Sequence, residues 1–210
     1  MIRLAHILLS MVFTLTVAAN AQELKTLKIG DKAPMHDVKM KNVDGRPVSI
    51  GDVNNQNGYI VIFSCNTCPF VVGGSSFAGW EKDYNEIVSK ALSAGIGVIF
   101  VNSNEAKRND GDSMEDMAQR FKEKGYTAPY VYDEKHQLAD AFGAKTTPHI
   151  FFFNNNHELI FEGAIDNTWN PKVNKKEFYL LDAINAVAND KKIPNSTTPP
   201  KGCTIKRVAS

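Results

Sequence analysis

Tyr59-Ile60-Val61-Ile62-Phe63 is an unbroken β-branched and aromatic run, and it leads through Ser64 into Cys65-Asn66-Thr67-Cys68. A strand with one wet face alternates apolar and polar residues. A run without alternation is buried on both faces, in a sheet covered by helices on each side. The two cysteines stand where that strand hands over to a helix, and they are expected in the helix's first turn. Unpaired backbone amides and the positive end of the helix dipole favour a thiolate there. The thiolate is the nucleophile of disulfide exchange, so placement counts as much as spacing.

The rest of the chain repeats the alternation of strand and helix. Segment 38–50 is broken by Asp44-Gly45, a hairpin signal. Trp80, Tyr84, Ile87, Val88, Ala91 and Leu92 recur at helical spacing up to Gly95, and Ile96 to Val101 reads as a second buried strand. Ser113 and Asp116 form a capping-box pattern ahead of Met114, Met117, Ala118 and Phe121 on one helical face. Tyr130-Val131-Tyr132 reads as a short strand, and 134–142 as a short helix stopped by Gly143. Asn154-Asn155-Asn156 joins two apolar strands as a hairpin. Leu180, Leu181, Ile184, Val187 and Ala188 make a last amphipathic helix. The pattern predicts an α/β fold with a central mixed sheet, helices on both faces and an N-terminal β-hairpin extension.

Residues 1–21 read as a signal peptide: Arg3, an apolar stretch from Ile7 to Ala18, and small residues around Ala21. The apolar stretch is shorter than the ~20 residues of a membrane span, so no stable span is expected after cleavage. The expected divisions are one domain over 22–193 and an extended C-terminal tail over 194–210. Removing Arg3 takes the formal charge from +1 to zero, which offers nothing to nucleic acid or to an anionic surface. Export to a periplasmic or secreted location implies an oxidising compartment, where cysteines pair or react. Three cysteines leave one, Cys203, without an assigned partner. It is a possible third redox thiol or an idle one.

A strand, a CxxC and a helix in an α/β pattern read as a redox motif. The chain resembles a member of the thioredoxin-like superfamily in its redoxin branch (the alkyl hydroperoxide reductase and thiol-specific antioxidant group). Within that branch it is similar to a subgroup with a Cys-Asn-x-Cys-Pro turn. Four places carry the resemblance: Ile29-Gly30-Asp31-Lys32-Ala33-Pro34, Cys65-Asn66-Thr67-Cys68-Pro69-Phe70, Thr146-Thr147-Pro148 and Gly202-Cys203-Thr204-Ile205-Lys206. The resemblance implies a catalytic pair in which Cys65 attacks and Cys68 resolves. It implies a cis bond before Pro148, with Thr147 and Pro148 receiving the substrate chain. It implies protein dithiols or disulfides and an electron donor as partners, and a redox-active disulfide in place of any cofactor or metal.

Two departures shape the functional expectation. Peroxiredoxins of the branch resemble Pro-x-x-x-Thr-x-x-Cys ending at the position of Cys68, and here Val61 and Cys65 replace the proline and threonine. That favours a thiol–disulfide oxidoreductase over an antioxidant thiol peroxidase using Cys68, which stands as the alternative. Ser64, Asn66 and Thr67 replace the tryptophan and Gly-Pro that thioredoxins often carry. A third reading is a soft-metal (copper) chaperone holding Cu(I) through Cys65 and Cys68, with His149 as a candidate ligand. A lone histidine beside a strand more simply packs. Asp110-Gly111-Asp112-Ser113 reads as a polar helix start rather than a calcium loop, because its glycine and terminal glutamate are misplaced.

Overall fold

A computed structural model describes residues 24–209. The expected signal peptide lies outside the described residues.

The sheet is built around β3 (Tyr59–Ser64), in which every residue is buried. β4 (Gly97–Asn102) runs parallel along one side, from Tyr59↔Gly97 to Ser64↔Asn102. β7 (His149–Phe153) runs antiparallel along the other. β5 (Tyr130–Tyr132) extends the sheet parallel to β4. The hairpin of β1 (Met40–Asn42) and β2 (Pro47–Val48), turned by Asp44-Gly45, closes that edge antiparallel to β5. β8 (Leu159–Gly163) closes the other edge. The order β2-β1-β5-β4-β3-β7-β8 is the expected mixed sheet. β6 (Thr146–Thr147) and β9 (Cys203–Thr204) form a separate antiparallel pair.

The pleat divides the apolar run between two cores. Ile60 and Ile62 join Val98, Phe100 and Phe152 beneath α2 (Tyr84–Ser93) and α5 (Tyr179–Ala188). Tyr59, Val61 and Phe63 face the opposite way, onto Leu138, Ala139 and Phe142 of α4 (Gln137–Phe142). Residues two apart share a face of a strand, so both layers draw on one unbroken run.

Local chemistry accounts for the helix boundaries. α3 (Met114–Lys124) starts at the expected capping box: the Asp116 amide donates to Ser113 Oγ and the Ser113 amide to Asp116 Oδ2. It ends on left-handed Gly125. α4 is shorter than the sequence predicts. Lys135 and His136 are left-handed, and the Asp133 carboxylate accepts the amides of Leu138 and Ala139, so the helix begins behind them. Leu92 also departs from expectation. It is 49% exposed while Tyr84, Ile87, Val88 and Ala91 are buried. Eight residues at 3.6 per turn carry Leu92 about 80° away from Tyr84, off the buried face.

The segment beyond Ile193 lies against the domain. Thr198 pairs with Glu162 and Ala164, and Ile205 is buried in the core beneath α4.

Replacing Ile62 by Ala is expected to cost about 2–5 kcal/mol of unfolding free energy, because the cavity lies between sheet and helices. Leu92→Ala is expected to change stability by less than about 0.5 kcal/mol. Urea denaturation of both variants checks the assignment of the two positions.

Candidate active site

Pro69 decides where the helix after β3 begins. Proline fits the first helical position, where its missing N–H costs nothing. α1 is accordingly Pro69–Val72, with Cys68 as its N-cap in extended backbone. Only Cys68 therefore touches the helix start. Cys65 lies three residues earlier, at the end of β3, which corrects the expectation that both cysteines share the first turn. The helix is a single turn. It ends at Gly73, whose φ of 97° and closeness to the Ala78 carbonyl exclude a side chain.

Both thiols are reduced and buried, Cys65 at 1% and Cys68 at 3% exposure. Cys65 Sγ lies 3.1 Å from Thr147 Oγ1 and accepts the Cys68 amide at 3.3 Å. Cys68 Sγ donates to the Thr147 carbonyl at 3.1 Å and accepts the amide of Cys203 at 3.3 Å. In β6–β9, Thr147 stands opposite Cys203. The fold thus brings Cys65, Cys68, Thr147 and Cys203 to one point. Pro148 follows through a cis peptide bond and joins β6 to β7.

The two thiols of the CxxC differ electrostatically. Cys68 is lowered to about 5, chiefly because the Cys65 thiol hydrogen-bonds its sulfur; the thiol and amide of Cys203 and the Phe70 amide in α1 add to this. Its own burial and the facing Thr147 carbonyl oppose the charge. Cys65 is pushed well above the ordinary thiol range, first by burial, then by its bond to Cys68 and by the nearby Asp112 charge. The lowered thiol is Cys68 and the raised one Cys65, the opposite order to the expectation of a thiolate at Cys65.

Asp112 holds the turn between the cysteines. It is fully buried and accepts four hydrogen bonds. The Asn66 amide (2.7 Å) and Asn102 Nδ2 (2.8 Å) reach Oδ1. The Thr67 hydroxyl (2.9 Å) and Asn104 Nδ2 (3.0 Å) reach Oδ2. Gly111 beside it has a φ of 94°, and a Cβ there would lie 2.8 Å from Thr67 Cγ2. Tyr130 Oη donates to Asn66 Oδ1. Sequence reasoning treats Asp110 to Ser113 only as a helix start and misses this role. The available signal was Asn102-Ser103-Asn104, a polar run at the carboxyl end of a buried strand, where α/β sheets place their sites.

His149 does not join the thiols. Its Nδ1 accepts the Lys145 amide at 3.1 Å, and its Nε2 bonds Glu162 Oε1 at 2.7 Å. Burial holds its pKa below the usual value. Both ring nitrogens are thus engaged away from a metal at Cys65 and Cys68. Among the described residues no group of three or more His, Cys, Asp or Glu side chains is arranged to hold a metal ion. Among them also, no helix is long and apolar enough to cross a membrane.

A thioredoxin-like sheet carrying paired thiols at the carboxyl end of its central strand defines a thiol redox protein. The Redoxin family model matches residues 28–178, and the chain belongs to that family. No curated protein matches the sequence. An uncharacterized conserved protein from Geobacillus kaustophilus is similar over 87% of this chain and 94% of its own, at 28% identity and a TM-score of 0.77. Two more distant structures share the fold. The thioredoxin domain of a thiol-disulfide oxidoreductase from Bacteroides vulgatus is 14% identical, with 78% of this chain and 100% of that one covered and a TM-score of 0.54. Peroxiredoxin Q from Xanthomonas campestris is also 14% identical, with coverage of 78% and 94% and a TM-score of 0.51.

Asp112→Asn is expected to loosen the turn, since an amide nitrogen cannot accept the two donors that one carboxylate oxygen takes. The expected loss is about 2–4 kcal/mol in reduced-protein stability, read by denaturant unfolding. It should come with a fall in the Cys65 pKa, because a nearby negative charge is gone.

Proposed function

We propose that this protein is a thiol–disulfide oxidoreductase acting on cysteine pairs of other proteins, with Cys68 as the attacking thiolate and Cys65 as the resolving thiol. The observation that carries the reading is the placement of the pair: Cys65 and Cys68 meet against Thr147 at the end of β3, and Cys68 caps α1 and takes the Cys203 amide. In the forward direction Cys68 attacks one sulfur of a substrate disulfide, and the other leaves as a thiolate. Cys65 then gives up its proton and attacks Cys68. The substrate is released as a dithiol and a Cys65–Cys68 disulfide remains, which an electron donor reduces. The reverse sequence oxidises a dithiol. The apolar leader in the sequence supports action outside the cytoplasm, in a periplasmic or secreted location. The turn Cys65-Asn66-Thr67-Cys68-Pro69 supports placement in the subgroup of redoxins that it resembles.

A thiol peroxidase is the second reading, and the thiolate at Cys68 is what favours it. Peroxide would convert Cys68 to a sulfenic acid, which Cys65 would condense with to give the same disulfide and water. Against it, among the described residues no arginine or lysine side chain hydrogen-bonds either sulfur.

Mixed-disulfide trapping separates the roles. The double variant Cys65→Ser, Cys203→Ser is expected to retain covalent protein partners, whereas Cys68→Ser captures at least tenfold less. The opposite pattern returns the attacking role to Cys65. Dimedone labelling at Cys68 with sustained peroxide turnover would instead establish the peroxidase.

The pH dependence follows from the lowered Cys68 thiol. Below about pH 5 Cys68 is protonated and unreactive; its alkylation rate is expected to rise through about 5 and to be flat at neutral pH. Mass spectrometry of iodoacetamide-treated reduced protein measures it. A midpoint near ~8.5, that of an unperturbed thiol, would remove the basis of the assignment.

A further inference from the structure

Cys203 lies 135 residues beyond Cys68, yet its amide donates to the Cys68 sulfur at 3.3 Å. Cys203 stands opposite Thr147, whose carbonyl lies 3.1 Å from the same sulfur. The approach is built in from both sides. Upstream, a Cβ on Gly202 would lie 2.2 Å from the Thr147 carbonyl oxygen, so only glycine permits the contact. Downstream, Ile205 is buried and donates its amide to Lys145 O. The Lys206 amide donates to Asn104 Oδ1 at 2.9 Å, and Arg207 Nε to Asp140 Oδ1 at 2.7 Å. The middle sulfur of this cluster, Cys68, therefore has two thiol neighbours: Cys65 from the strand and Cys203 from the tail. Cys203 is the least buried of the three.

We propose that Cys203 is a third redox residue, which exchanges with the Cys65–Cys68 disulfide to form a Cys68–Cys203 disulfide and so carries oxidation from the buried pair to the surface. The step is an internal exchange. Cys203 loses its proton and its sulfur attacks Cys68 Sγ. The Cys65–Cys68 bond breaks, and Cys65 leaves as a thiolate that takes up a proton. One disulfide and one thiol stand on each side, so no outside oxidant or reductant enters. The preceding oxidation comes from the exchange reaction proposed above, and the inference rests on that reading for its source only.

The electrostatics run in the required direction. In the reduced site Cys203 is raised to about 11, by burial first and then by Cys68, so it does not compete with Cys68 as nucleophile. Once Cys68 is in a disulfide, its charge is gone and that part of the penalty on Cys203 is lifted. A thiol held by its flanking backbone also reacts without a search, as an effectively intramolecular partner.

Controlled oxidation of the full-length protein with diamide tests this, because a small oxidant requires no protein substrate. After free thiols are blocked, trypsin releases Cys203 in the pentapeptide 202–206, and its linkage is read by non-reducing mass spectrometry. Wild-type protein is expected to give both Cys65–Cys68 and Cys68–Cys203. Cys65→Ser is expected to give Cys68–Cys203 in near-complete yield. Gly202→Val, which forces the tail off Thr147, is expected to lower that linkage at least tenfold while Cys65–Cys68 still forms; a cooperative denaturant transition reports that the variant is folded. A Cys203 that stays fully alkylatable in oxidised wild type and in Cys65→Ser overturns the proposal. Absence of trapped protein partners, by contrast, counts against the substrate reading and leaves this one standing.

Discussion

The Asp112 carboxylate organises the site. A charge buried without partners costs several kcal/mol, so the four donors around Asp112 must be kept in place for the fold to tolerate it. Two come from the turn between the cysteines and two from the end of β4. The carboxylate thereby fixes the end of the central sheet and the spacing of the thiols in one network. It also keeps a negative charge close to Cys65, which helps hold that thiol protonated. Structural anchoring and thiol asymmetry come from the same group.

Pro69 supplies the other half of the asymmetry. It moves the helix start past Cys65, leaving Cys68 as the N-cap. A CxxC whose helix began at its first cysteine would give both sulfurs a share of the helix amides. Here Cys68 caps the helix, and Cys65 takes only the Cys68 amide. A single imino acid thus puts two chemically identical thiols in different backbone settings.

The parts of this arrangement legible in the sequence are those set by neighbours in the chain. The apolar run of β3, the Asp44-Gly45 turn, the Ser113–Asp116 capping box and the helical spacing of Tyr84, Ile87, Val88 and Ala91 all act within a few residues. The resemblance adds Thr147 and Pro148, which no local pattern would single out. The parts that were not legible depend on distance. Asp112 is 46 residues from the Asn66 amide it holds, and nothing around Asp110 to Ser113 points to that turn. The start of α4 depends on the Asp133 carboxylate reaching forward over a left-handed pair. The order of the thiols was open to a closer reading, because Pro69 is adjacent and its helical preference is local.

The pairing of β9 with β6 has a consequence in time. The chain grows from its N-terminus, so Cys65, Cys68 and Thr147 are made well before Cys203 and Ile205, and the core beneath α4 is completed only when the tail seats. The tail is therefore the last piece to seat. Until it does, Cys68 lacks the Cys203 amide and its cover, and a nascent chain carries the dithiol in a more open state than the finished molecule. Seating of this segment is itself a step in the maturation of the site.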